Sequence, residues 1–196
     1  MRAIHARRAV AFAGATLVAL LSLAALPGQA VADRYIGLAG GAAIPYKGAV
    51  GWNVLAEIGG HMWGSKHFLG GAEFEFKRQD ADASASGAPD VPVDLYNARL
   101  LGRFVFAPKR LTPYFGGGAG LGAVNAKATA TRSSEIGLSA NVVALGGVNW
   151  PVIQDRMSIF AEARFGYTWD LTGDFSHVRR QGFDGFSGLG GVRFRF

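Results

Sequence analysis

The sequence contains no cysteine. That excludes disulfide staples, thiolate metal sites and thiol nucleophiles. Beyond residue 32 it also lacks any run of 18 uncharged apolar residues, so no helical membrane span is expected there. Runs of positive charge are missing as well: Lys and Arg never occur more than two in succession, which argues against a nucleic-acid partner. The first eight residues lack acids altogether and carry Arg2, Arg7 and Arg8. An uncharged apolar run follows over 9–26, broken by Pro27 and Gly28 and closed by the small residues Ala30 and Ala32. This order is that of a cleaved secretory signal over 1–32, with cut after Ala32. A retained anchor is the alternative, because the apolar run nears the length of a spanning helix. Removing the leader costs three arginines and lowers the net charge from +6 to +3. The remaining 33–196 has the size of one domain.

What is present is alternation. Eight segments, at about 34–45, 50–62, 67–77, 94–106, 113–124, 138–149, 157–168 and 183–196, have the two-residue period of strands. They are long for soluble strands and suit a tilted bilayer span of about 9–11 residues. In the third, Phe68, Ala72, Phe74 and Phe76 oppose Glu73, Glu75 and Lys77. In the fourth, Tyr96, Ala98, Leu100, Phe104 and Phe106 oppose Asn97, Arg99 and Arg103. In the seventh, Ile159, Ala161, Ala163, Phe165 and Tyr167 oppose Ser158, Glu162 and Arg164. The last segment sets Phe186, Val192, Phe194 and Phe196 against Arg193 and Arg195. Keeping every charge off the aromatic face is what a lipid-facing wall demands, since a basic side chain in mid-bilayer costs about 2–4 kcal/mol.

Short connections at 63–66, 107–112 and 150–156 alternate with long polar ones at 78–93, 125–137 and 169–182, with 46–49 a short exception. Phe104, Phe106, Tyr114, Phe115, Trp150, Phe194 and Phe196 gather toward the short turns, where an interfacial aromatic girdle is expected. Gly116, Gly117, Gly118, Gly120 and Gly122 lie within one strand, where they permit curvature and make room for large interior side chains. The expected fold is all-β: an eight-stranded antiparallel transmembrane β-barrel in up-and-down meander order.

The chain resembles the eight-stranded outer-membrane barrels related to outer membrane protein A and the opacity proteins. The resemblance rests on YIGLAGG at 35–41, LTPYFGGGAG at 111–120, FAEARF at 160–165 and the ending GGVRFRF at 190–196. It implies an integral outer-membrane protein in contact with outer-membrane lipids and lipopolysaccharide, whose Phe194 and Phe196 are read by the barrel-assembly machinery. It also implies short turns in the periplasm, a monomer, no cofactor and no enzymatic activity; because the sequence stops at the last strand, no peptidoglycan-binding domain is expected to follow.

The interior charges are the main functional candidates: Glu57, Glu73, Glu75 and Glu162 with Lys77, Arg99, Arg103, Arg164, Arg193 and Arg195. Buried charges must pair, so a network filling the lumen is expected. Glu162–Arg193 is the preferred pair, and Glu73 or Glu75 with Arg99 or Arg103 the next. The alternative use is a narrow polar channel. Ser176 and His177, near Asp170, Asp174 and Asp184, have the groups of a hydrolase triad. Lipid A deacylases among such barrels place Ser two residues after His on one face, however, and here the two are adjacent. His61 and His67 flank a turn, too few for a metal site by themselves. Gly118, Gly120 and Ala123 fit a relaxed dinucleotide fingerprint, but no helix follows. Lys127, Arg132, Arg179 and Arg180 stand in the long loops, where phosphates of lipopolysaccharide would meet them.

Overall fold

The structure is a computed structural model that describes residues 34–46, 48–81, 91–106, 110–126, 135–153, 156–172 and 184–196. The expected leader, with Ala30 and Ala32, lies outside the described residues. Eight strands follow in order: β1 (Arg34–Pro45), β2 (Gly48–His61), β3 (Phe68–Ala81), β4 (Val91–Val105), β5 (Thr112–Ala126), β6 (Glu135–Ile153), β7 (Met157–Asp170) and β8 (Gly185–Arg195). Each pairs antiparallel with its neighbour in sequence, and β8 returns to β1, so the sheet closes into the expected meander barrel. Closure runs from Tyr35 opposite Arg195 to Pro45 opposite Gly185, and the Phe196 amide donates to the Arg34 carbonyl at 2.9 Å. A closed sheet leaves no unpaired edge, the condition for strands to cross hydrocarbon.

Several strands outrun the alternation that predicted them. β3 and β4 stay paired out to Ala81 opposite Val91, beyond the expected ends at 77 and 94. There the rule of apolar residues outside lapses. Arg78 and Asp94 face each other on the outer side, with Nε donating to Oδ1 at 2.8 Å and Nη2 to Oδ2 at 3.3 Å. Arg78 is 39% exposed. This forked pair stands two residues beyond Phe76 and Tyr96, so backbone pairing continues past the apolar zone into water. β6 runs through Trp150 and Pro151 to Ile153, against an expected end at 149. The register shifts between Pro151 and Ile153, consistent with a proline that cannot donate to the ladder.

The outer wall is apolar and ringed twice by aromatics. On the short-turn side Phe104 touches Phe68, Phe106 and Phe115 with centroids 5.3, 5.5 and 5.6 Å apart, and Trp63 leans edge-on to Phe68 at 6.2 Å. Trp63 has a positive φ of 53° and is 82% exposed, so the turn between β2 and β3 presents its indole beside this belt. On the long-loop side Trp52–Phe76–Tyr96, Phe165–Phe186 and Tyr167–Trp169 make a second belt, absent from the sequence reading. Phe68 to Phe76 spans eight steps of about 3.3 Å, which at the usual tilt gives about 20 Å of height. That matches the apolar band of such barrels, about 25 Å tall. Tyr114 corrects the sequence reading. It and Phe115 are neighbours on β5, so alternation sends one of them inward. Phe115 lies outside at 53% exposed, whereas Tyr114 is buried in the interior.

Candidate functional site

The lumen is filled by inward side chains, as the narrow bore of eight strands requires. Glu57, Glu73, Glu75, Arg99, Arg103, Glu162, Arg164 and Arg193 are all buried inside, and so is Lys77. They form two joined layers. In the layer nearer the short turns, Glu57 on β2 accepts from Arg193 Nε of β8 at 2.5 Å and from Arg103 Nη2 of β4 at 2.7 Å. Arg103 Nη1 also donates to the Tyr35 hydroxyl at 3.0 Å. Tyr114 donates to Glu162 Oε2 at 2.9 Å, and Arg193 lies over the Phe160 ring at 3.8 Å. In the next layer Glu73 Oε1 accepts from Arg99 Nη1 and Arg164 Nη1, each at 2.8 Å. Glu75 lies 2.7 Å from Arg99 and accepts from Asn53 at 2.9 Å and Asn97 at 3.2 Å. Arg164 joins the layers by donating to Glu162, its neighbour but one on β7.

Arg193 forms the expected ion pair with Glu162, at 3.7 Å, but its closer partner is Glu57. Strand order suggested Glu162 because β7 and β8 are adjacent. In a bore this narrow, however, a long arginine reaches across the closing seam to β2. Arg195 was expected among the paired interior charges, but it is exposed at the short-turn mouth, one step past the end of the network. Tyr35, Tyr114 and Phe160 went unnoticed as interior residues. Their even spacing with Gly37, Gly116 and Glu162 was the available signal.

Glycine is what lets the arginines fit. On β5, Gly116, Gly118, Gly120 and Gly122 all face inward, opposite Arg103, Leu101, Arg99 and Asn97 of β4 and opposite Leu145, Val143, Asn141 and Ser139 of β6. The bare strand is a floor over which β4 and β6 side chains meet: Arg99 Nε donates to Asn141 Oδ1 at 2.5 Å above Gly120. Above Gly118 the meeting is apolar, with Leu101 and Val143 in one cluster with Val105, Tyr114 and Leu145. A methyl group at Gly120 would overlap the Ala98 carbonyl and the Arg99 Cα. Gly120→Ala should therefore cost about 1–3 kcal/mol by overpacking, whereas Ala119→Val on the lipid face should change stability by less than about 0.5 kcal/mol. Urea unfolding in lipid vesicles checks the contrast, and equal effects would refute the glycine floor.

Among the described residues the other candidates do not converge. Ser176, His177 and Asp174 lie outside the described residues, as do Lys127, Arg132, Arg179 and Arg180. Asp170 accepts from the Thr172 amide and hydroxyl, and Asp184 from the Thr168 amide at 2.6 Å, so both brace backbone at the long-loop end. His67 Nδ1 is 2.9 Å from the Val105 carbonyl and its ring stacks on Phe104. Among the described residues no three His, Asp or Glu side chains gather as metal ligands. Gly118 and Gly120 sit in mid-strand, and Phe194 and Phe196 are exposed on the outer face at the seam.

No known family profile and no curated protein sequence matches the chain. Solved structures do. Neisserial surface protein A superposes with a TM-score of 0.57 at 18% identity, covering 87% of this chain and 100% of that one. Ail of Yersinia pestis gives 0.49 at 14% identity, covering 84% and 97%. The N-terminal β-barrel domain of Pseudomonas aeruginosa OprF gives 0.48 at 12% identity, covering 83% and 97%. The Neisserial match, spanning the whole of that chain, gives the closed meander the fold of the eight-stranded outer-membrane barrels, and the apolar outer wall around a charged interior is that of a barrel whose strands cross a membrane.

Proposed function

We propose that the protein is a closed, non-enzymatic and non-conducting barrel of the outer membrane, acting as a structural or surface-interacting element of the cell envelope. Its signal is removed after Ala32, and the terminal Phe196, with Phe194, is the feature read by the barrel-assembly machinery. The barrel stands as a monomer with short turns in the periplasm and long loops toward lipopolysaccharide. One observation carries the reading. Arginines cross the bore to acids on distant strands, Arg164 of β7 to Glu73 of β3 and Arg193 of β8 to Glu57 of β2, so the lumen is strutted. A strutted bore leaves the outward surface as the place of action. The matched Neisserial barrel is itself named a surface protein.

Planar-bilayer recording tests the closed state. Refolded wild-type protein should give no conductance steps, and removing Glu57 and Arg193 together should introduce them if those residues plug the bore. Steps in the wild type would move the assignment to a narrow channel. Release of fatty acid from lipid A by the wild type would move it to a hydrolase. For the surface role, replacing 82–90, 127–134 and 173–183 by short glycine–serine linkers should preserve the heat-dependent gel mobility of a folded barrel. The envelope phenotype of a deletion strain should then remain uncorrected. Full correction by the loop-less protein would refute a role for the loops.

A further inference from the structure

At the short-turn end the bore opens into a vestibule of about 280 Å³. Its floor is the inner charge layer, through Arg103 and Arg193. Its rim carries Lys66 from the turn between β2 and β3, His61 from the end of β2 and Arg195 from the end of β8. Among the described residues no Asp or Glu lines it. The floor arginines are offset by Glu57 and Glu162, which pair with them without lining the vestibule. Among the described lining residues nothing offsets Lys66 and Arg195. A donor that suits oxygen acceptors stands between floor and rim, the Asn149 side chain, held by Arg193 Nη1 at 3.4 Å. A blind cleft lined by one sign of charge, inside a low-dielectric wall, concentrates field and draws counter-ions. Forked guanidiniums and a neutral donor around it suit an oxyanion better than a halide.

We propose that this vestibule is a binding site for a phosphate-bearing anion, held at the rim by Lys66 and Arg195 and closed below by the Arg103–Glu57–Arg193 layer. The volume admits a phosphate or diphosphate group with a few waters, or the head of a phospholipid reaching over the rim, and excludes a polymer from entering. The site stands apart from the loops, and it holds whether or not the barrel proves to act at the cell surface.

The test uses the refolded full-length barrel in an uncharged detergent, titrated with inorganic pyrophosphate by calorimetry. Saturable one-to-one binding that weakens with added salt is expected. Lys66→Gln and Arg195→Gln should each weaken it about five-fold and the two together about twenty-fold or more. Both residues are exposed at the mouth, so the variants should keep the heat-dependent gel mobility of the wild type. Absence of saturable binding, or equal binding by the double variant, overturns the proposal. A second arm separates the sources of the phosphate. The protein is reconstituted into phosphatidylcholine vesicles with and without phosphatidylglycerol. Weaker pyrophosphate binding in the anionic vesicles, lost in the double variant, assigns the site to a lipid headgroup. Undiminished binding assigns it to a free solute.

Discussion

Glu57→Ala is expected to destabilise the barrel by about 3–5 kcal/mol, the cost of stripping a buried ion network of its shared acid. Glu57 is 4% exposed and accepts from two arginines on two other strands. Without it, Arg103 and Arg193 would look to Glu162 at 3.5 and 3.7 Å, a carboxylate already holding Tyr114 and Arg164. Two guanidiniums would then share one crowded acid in a site closed to bulk water. Removing a guanidinium together with the acid should be milder than the sum of the single changes, because the double variant leaves less charge unpaired. Glu57→Ala with Arg193→Met is the pair to measure. Equilibrium urea unfolding in vesicles, read through the intrinsic fluorescence of the four tryptophans, gives both numbers. A loss below about 1 kcal/mol for Glu57→Ala would mean a wet, screened lumen, and the strutted bore would have to be abandoned.

Leu100→Arg is expected to cost about 2–4 kcal/mol in a bilayer. Leu100 lies midway between Tyr96 and Phe104 on the outer face of β4 and is 56% exposed, a surface that lipid covers. The adjacent residue is Arg99, which the same strand carries at 6% exposed against Glu73 and Glu75. Two consecutive positions thus differ in their tolerance of arginine by the pleat alone. The cost should fall toward about 0–1 kcal/mol for arginine placed at the level of the aromatic belts, since charge is tolerated near the interface. The native Arg78, just past Phe76, is an instance already in the protein. If Leu100→Arg unfolds at the same urea concentration as the wild type, the outer wall does not face hydrocarbon.

These two experiments bear on opposite sides of one sheet, and the sequence told the sides apart. Alternation at Phe74–Glu75–Phe76 or Ala98–Arg99–Leu100 is local, because a strand sends successive side chains to opposite faces whatever surrounds it. The same locality explains where the reading went astray. Tyr114 was placed with the girdle because aromatics cluster near it in the chain, yet parity with Gly116 sends it inward to Glu162. Strand ends at 81, 91 and 153 were missed because outside the bilayer no lipid enforces an apolar face, so backbone pairing continues with no pattern to announce it.

The sequence by itself determined the eight alternating strands, the lipid-facing side of those that carry charges, and all but Arg195 of the charges it expected to be buried together. Those are properties of single strands and of composition, and each is legible within about a dozen residues. Only the tertiary structure decided the partners. Arg193 reaches Glu57 more closely than Glu162, Arg164 reaches Glu73 across the bore, and Arg195 stops at the rim to help line a basic vestibule. Those choices depend on shear, closure and the width of the lumen, which are set by all eight strands at once. A long arginine in a narrow barrel selects among acids on every wall, and no stretch of sequence contains that distance.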